Sequence, residues 1–140
     1  MSTPPKFVPQ ATPETQPYWD GTAARELRIQ QCVPEQHTYF YPRTSCPVCG
    51  TEEVKWVTAS GRAQLHTYVI SHRPAPGFTP PYVIAVVELE EGPRMMTNLV
   101  GVEPDPEHLE LDMDLVVDFE ARGDDVLVPV FRPADSEAAA

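Results

Sequence analysis

The chain is 140 residues long and 41% hydrophobic, with 10 Lys plus Arg against 21 Asp plus Glu for a formal net charge of -11. That length and apolar content suit one domain, or one small domain with an accessory piece. The charge opposes binding to nucleic acid through phosphate contacts, no run approaches the roughly 18 apolar residues of a membrane helix, and no signal peptide is visible at the start.

Residues 1–14 read as a flexible arm. Pro4, Pro5, Pro9 and Pro13 lie there among small and polar residues, a composition that stays extended or lies along a partner. Residues 15–57 follow as an N-terminal helix and a ribbon. The helix is placed at residues 22–27, with Thr22 as its cap and Arg25 and Glu26 facing water. Tyr18 and Trp19 are its apolar anchor, and two readings stand. Either the pair covers the domain's own core, or the helix docks elsewhere, because a helix this short does not persist alone. Residues 27–31 lead into Cys32 as a strand. Residues 37–42 return as an aromatic strand through Tyr39, Phe40 and Tyr41, and Val54, Trp56 and Val57 leave as a third.

Residues 58–133 read as β throughout. Alternation over 63–70 predicts a half-buried strand. Pro74, Pro76, Gly77, Pro80 and Pro81 then make a long stiff loop. Residues 82–89 form a nearly continuous apolar strand, 90–93 a hairpin turn and 94–100 the return strand. A short helical piece is expected near 107–109, with two more strands at 115–119 and 126–131. Five short strands without helical crossovers predict a closed antiparallel barrel. Val83, Ile84, Val86, Val87, Leu99, Val117 and Phe119 are expected among its buried side chains. His66 reads as a surface or interface residue, and Met95 and Met96 as core or partner contacts. Residues 134–140, ending in three alanines, read as a flexible tail.

The chemistry-bearing pattern is Cys32-Val33-Pro34-Glu35, ten residues, then Cys46-Pro47-Val48-Cys49-Gly50. A zinc ribbon holds its metal with four ligands in a tetrahedron, usually from two Cys-x-x-Cys knuckles. The second knuckle is intact, and Gly50 follows it where the turn needs positive φ. The first keeps Cys32 but carries Glu35 in place of its second cysteine, with His37 two residues on. Three thiolates with Glu35 or His37 as fourth ligand is one reading. A ribbon that keeps its shape without metal is another, and a Cys46/Cys49 redox pair is a third. Three cysteines of this kind suit a reducing, cytoplasmic compartment better than a secreted disulfide framework. In so acidic a chain, the cations Arg43, His72, Arg73 and Arg94 are candidates for the phosphates of a ligand, or else ordinary solvated or paired side chains. No nucleophile elbow, dinucleotide fingerprint or P-loop is present, and no catalytic residue is assigned.

The order of these pieces resembles the bacterial and archaeal zinc-ribbon/OB-fold proteins that accompany acyl-CoA enzymes. The matching segments run from Tyr18 to Pro133: Pro17-Tyr18-Trp19, Gln31-Cys32, Phe40-Tyr41-Pro42-Arg43, the Cys46 to Gly50 knuckle, His72-Arg73-Pro74 with Pro76-Gly77-Phe78, the strand starting at Pro81-Tyr82, Gly92-Pro93-Arg94 and Asn98-Leu99-Val100-Gly101. The resemblance implies a mainly β protein, a short helix and rubredoxin-like zinc ribbon followed by a five-stranded OB-fold barrel. It implies a zinc ion and a coenzyme A thioester as shared substrate. It also implies a non-catalytic accessory role in a hetro-oligomer with a thiolase-like catalytic subunit, whether thiolase, synthase, acyltransferase or steroid side-chain aldolase, or with a hot-dog-fold hydratase. The alternatives are a stand-alone acyl-CoA hydrolase or transferase using His72 or the metal, and an OB module for nucleic acid, which the charge opposes.

Overall fold

The computed structural model describes residues 6–123 and 125–134. Its elements are α1 (Gln16–Ala23), β1 (Arg28–Cys32), β2 (Thr38–Tyr39), β3 (Val54–Thr58), β4 (Arg62–Ser71), β5 (Tyr82–Leu89), β6 (Arg94–Leu99), a 3-10 turn (Pro106–His108), β7 (Asp114–Arg122) and β8 (Val126–Pro133). Among the described residues, no helix is long and apolar enough to cross a membrane.

The helix lies upstream of the predicted 22–27. Pro17 sits in its first turn, where its fixed φ suits a helix start. Thr22 belongs to the end of the helix and caps nothing: its hydroxyl donates to Trp19 O at 3.0 Å. Arg25 stops the helix by adopting φ 60. Glu26 N then donates to Gly21 O at 2.8 Å and Arg25 N to Thr22 O at 2.9 Å, a Schellman closure. The residue types at 23–27 favour a helix, so only the left-handed backbone at Arg25 reveals the stop. Tyr18 is 3% exposed and belongs to the main core, so the helix covers this chain's own interior.

β1, β2 and β3 form an antiparallel sheet in the order β2-β1-β3. The aromatic strand predicted over 37–42 shortens to Thr38–Tyr39, because Phe40 and Tyr41 turn onto Tyr18, with ring centroids 5.6 and 5.9 Å from it. Leu27 and Ile29 enter the main core, which seats this sheet on the barrel. Thr38 Oγ1 adds a hydrogen bond to Glu91 O of the β5–β6 hairpin at 2.8 Å.

β4 to β8 close into a barrel in the order β4-β5-β6-β8-β7. Four of its pairings are antiparallel, but β6 meets β8 in parallel at Leu99 and Phe131, so the wholly antiparallel expectation is corrected there. A bulge at His66 separates Leu65, opposite Val87, from Thr67, opposite Val86. It bends β4, which pairs with β5 on both sides of the bulge and with β7 through its first residues only.

The barrel interior receives Leu65, Val83, Ala85, Val87, Leu89, Met95, Leu99, Leu115 and Phe131. Val83, Val87 and Leu99 are buried as expected, whereas Ile84 and Val86 are half-buried on the outer face, and Val117 and Phe119 are half-buried as well. Strand side chains alternate strictly, so an apolar run cannot place all its members inside.

The arm and tail expectations fall partly on residues 1–5 and 135–140, outside the described residues. The described end of the arm rests on the barrel: Lys6 Nζ lies 2.6 Å from Glu120 Oε1 and 4.3 Å from the Phe78 ring centroid. Phe78 stacks on Tyr82 at 4.9 Å, which ties the proline-rich loop to the start of β5.

Candidate metal centre

Two backbone turns of the same form face each other at the far end of the ribbon. In the first, Gln36 N donates to Cys32 O at 2.9 Å and Cys32 N to His37 O at 3.0 Å. In the second, Gly50 N donates to Cys46 O at 2.9 Å and Cys46 N to Thr51 O at 2.9 Å. Gln36 and Gly50 take matching positive φ values of 59 and 77. The first turn is thus a complete knuckle in backbone, with Glu35 at the position of Cys49 and His37 at that of Thr51. Each knuckle also turns an amide onto its leading sulfur: His37 N to Cys32 Sγ at 3.2 Å and Val48 N to Cys46 Sγ at 3.4 Å.

Cys32, His37, Cys46 and Cys49 bring their donor atoms within 4.8 Å of one another. Glu35 stands outside that set. His37 Nδ1 lies 3.5 Å from Cys32 Sγ and 3.8 Å from Cys46 Sγ, and Cys49 Sγ lies 3.9 Å from Cys32 Sγ. A tetrahedral zinc with ordinary Zn–S and Zn–N bonds has S···S edges of about 3.8 Å and S···N edges of about 3.5 Å. The donor set therefore fits zinc in both chemistry and spacing. All three cysteines are free thiols.

The sulfurs are electrostatically unequal. Burial opposes the Cys46 thiolate, but the N–H groups of Cys49 and Val48, then the Cys49 thiol and His37, outweigh it and bring Cys46 down to about 6. Cys49 is raised: the Thr51 N–H favours its thiolate, but burial and the neighbouring Cys46 and Cys32 sulfurs prevail. Crowded thiols that resist joint ionisation are the setting that a divalent cation relieves.

The four candidate cations do not converge. His72 and Arg73 follow the end of β4 that pairs with Tyr82, whereas Arg94 pairs with Glu88 near the opposite end of β5. Six residues of strand put these ends about 20 Å apart. Arg94 Nε is held by Glu88 Oε1 at 3.0 Å. Arg43, His72 and Arg73 are exposed, with no ion-pair partner found among the described residues.

Sequence reasoning singled out Met96 as a core or partner contact but missed the apolar patch around it on the outer face of the barrel. Val69 lies opposite Ile84, and Val86 lies opposite Met96, across β4, β5 and β6. Val69 is 58% exposed and Met96 71% exposed. The sequence carried it only as apolar residues on both faces of β5, beside Val69 and Met96 on its neighbours.

A family model described as "ChsH2, C-terminal OB-fold domain" matches residues 56–120. The chain is 39% identical over 118 residues to a probable enoyl-CoA hydratase alpha subunit of Thermomonospora curvata, covering 84% of this chain but only 36% of that relative's length. It is 37% identical over 100 residues to a DUF35 domain-containing scaffold protein of Pyrococcus furiosus, covering 69% of this chain and 74% of that protein. Among solved structures, a chain of the Ltp2-ChsH2(DUF35) aldolase superposes with a TM-score of 0.82 at 36% identity, covering 91% of this chain and 99% of that one.

Proposed function

The chain belongs to the DUF35/ChsH2 OB-fold family, and on that footing we propose that it is a non-catalytic accessory subunit of an acyl-CoA-processing complex. Its partner in this reading is a thiolase-superfamily catalytic subunit, a thiolase or an aldolase, and a hot-dog-fold hydratase is a second candidate. The observation that carries the reading is the nearly full-length likeness to a chain of a two-component aldolase. The name of the scaffold relative points the same way.

In this reading the ribbon holds one zinc ion through Cys32, His37, Cys46 and Cys49. Four protein donors leave no open position, which is the signature of a structural site. Zinc would supply cross-linking of the two knuckles, and the chain's own amides at His37 and Val48 would steady the sulfurs. The outer face around Val69, Ile84, Val86 and Met96 would bury against the catalytic subunit. His72 and Arg73, adjacent on the β4–β5 loop, remain to meet a phosphate of the coenzyme A thioester, with Arg43 as a separate candidate. Arg94 is paired with Glu88 at the other end of β5.

The test is co-expression with a thiolase-superfamily subunit encoded beside this chain, followed by sedimentation velocity and acyl-CoA turnover assays. A hetero-oligomer that is active, and more heat-stable than the catalytic subunit alone, is expected, because a partner that binds only the folded enzyme raises its apparent stability. Robust turnover by this chain alone, lost in His72→Ala, would replace the reading with the stand-alone enzyme.

A further inference from the structure

We propose that Glu35 serves the metal site from outside it, as the carboxylate that orients His37, and is not the fourth ligand. The inference rests on the zinc reading above.

The geometry assigns the two ring nitrogens different work. Nδ1 faces Cys32 Sγ and Cys46 Sγ at 3.5 and 3.8 Å, whereas Nε2 faces Glu35 Oε2 at 3.6 Å. A metal on Nδ1 leaves the ring proton on Nε2, pointing at that carboxylate. The 3.6 Å separation is an ion-pair distance, longer than a hydrogen bond. The Glu35 side chain is 60% exposed and free to close it by a small rotation. A ligating histidine characteristically gives its other N–H to a carboxylate or carbonyl, which selects the tautomer and makes the ring a better donor.

The backbone explains why this division of labour is needed. Glu35 occupies the knuckle position that carries Cys49 in the second turn, yet its carboxylate is absent from the donor set. His37 reaches the sulfurs from two residues further on, past the left-handed turn at Gln36. The backbone there is held, with Cys32 N donating to His37 O at 3.0 Å, but the imidazole is longer than a cysteine side chain and turns about two torsions. It needs its ring orientation set by another group. Replacement of the second cysteine by glutamate and recruitment of His37 are, on this geometry, two halves of one arrangement.

The test uses the full chain loaded with zinc or cobalt(II). Zinc affinity is measured by chelator competition, the thiolate and nitrogen ligands are read from the cobalt absorption spectrum, and the His37 tautomer from ring nitrogen shifts. Glu35→Ala should weaken zinc about 10- to 100-fold while keeping three thiolates and one imidazole on the metal. Glu35→Gln retains an acceptor oxygen and should recover most of that loss. In a His37→Ala background, Glu35→Ala should add no further loss. Three results would overturn the proposal: a change of ligand set in Glu35→Ala, full additivity with His37→Ala, or unchanged affinity in Glu35→Ala. Failure of the wild-type chain to take up either ion would sink the zinc reading itself, and this proposal with it.

Discussion

Leu65, Val87 and Phe131 are 0% exposed inside the barrel, which gathers side chains from all five of its strands. Among the described residues, the far end of the ribbon gathers only Cys32, Tyr39 and Cys46 as a buried cluster, with Val54 half-buried beside them. Each large aliphatic side chain fully buried in the barrel is worth about 1.5–3 kcal/mol. Two sulfurs and one tyrosine cannot match that. β1 spans both regimes, since Ile29 lies in the main core and Cys32 in the knuckle. The same strand is therefore anchored by apolar burial at one end and ends in the donor cluster at the other. Small β-rich units face this choice generally: where the core runs out, a metal or another cross-link takes over.

The largest effect expected is at Val87. Val87→Asp places an unpaired charge at a 0% exposed barrel site and should cost well over about 4 kcal/mol, enough to leave the chain unfolded by circular dichroism. Ile84→Asp, three residues earlier on the outer face, should cost only about 1 kcal/mol and leave a folded chain. Equal damage from the two would mean that the barrel does not separate inside from outside at this strand.

Removal of metal should divide the molecule along the same line. After exhaustive chelation, hydrogen exchange should accelerate at the amides of Gln36, His37, Val48 and Gly50. Amides in β5 and β6 should keep their protection, because local openings follow local contact density. Loss of protection throughout would show that the barrel also leans on the ribbon, and no change anywhere would show a ribbon held without metal.

The smallest stability change belongs to the outer patch. Met96→Asp combined with Val69→Asp should shift unfolding by no more than about 0.5 kcal/mol, yet weaken assembly with the catalytic subunit at least about tenfold. Unchanged assembly would move the docking surface elsewhere. A wild-type chain that dimerises through this face, and a variant that does not, would make a second copy the occupant.

Much of this was legible in the residues. Proline-rich and glycine-containing turns marked the loops, and alternation marked β4. The Cys46 to Gly50 spacing identified a knuckle, and the resemblance supplied the order of ribbon and barrel. The helix was misplaced because Pro17 opens it and a left-handed Arg25 ends it. Residue type signals the first weakly and the second not at all.

Which nitrogen or oxygen completes the donor set was open for a related reason. Glu35 and His37 stand three and five residues after Cys32, both within reach of it, and only the packing of one knuckle against the other decides which meets Cys46 and Cys49. The face of β5 that fills the core was open as well, because an unbroken apolar run has no parity to read. Sequence by itself determined the local periods and the turn chemistry, since those depend on residues a few positions apart. Tertiary structure decided which side chains gather into the Cys/His cluster, the inward face of β5 and the exposed patch, since each depends on groups brought together from distant strands.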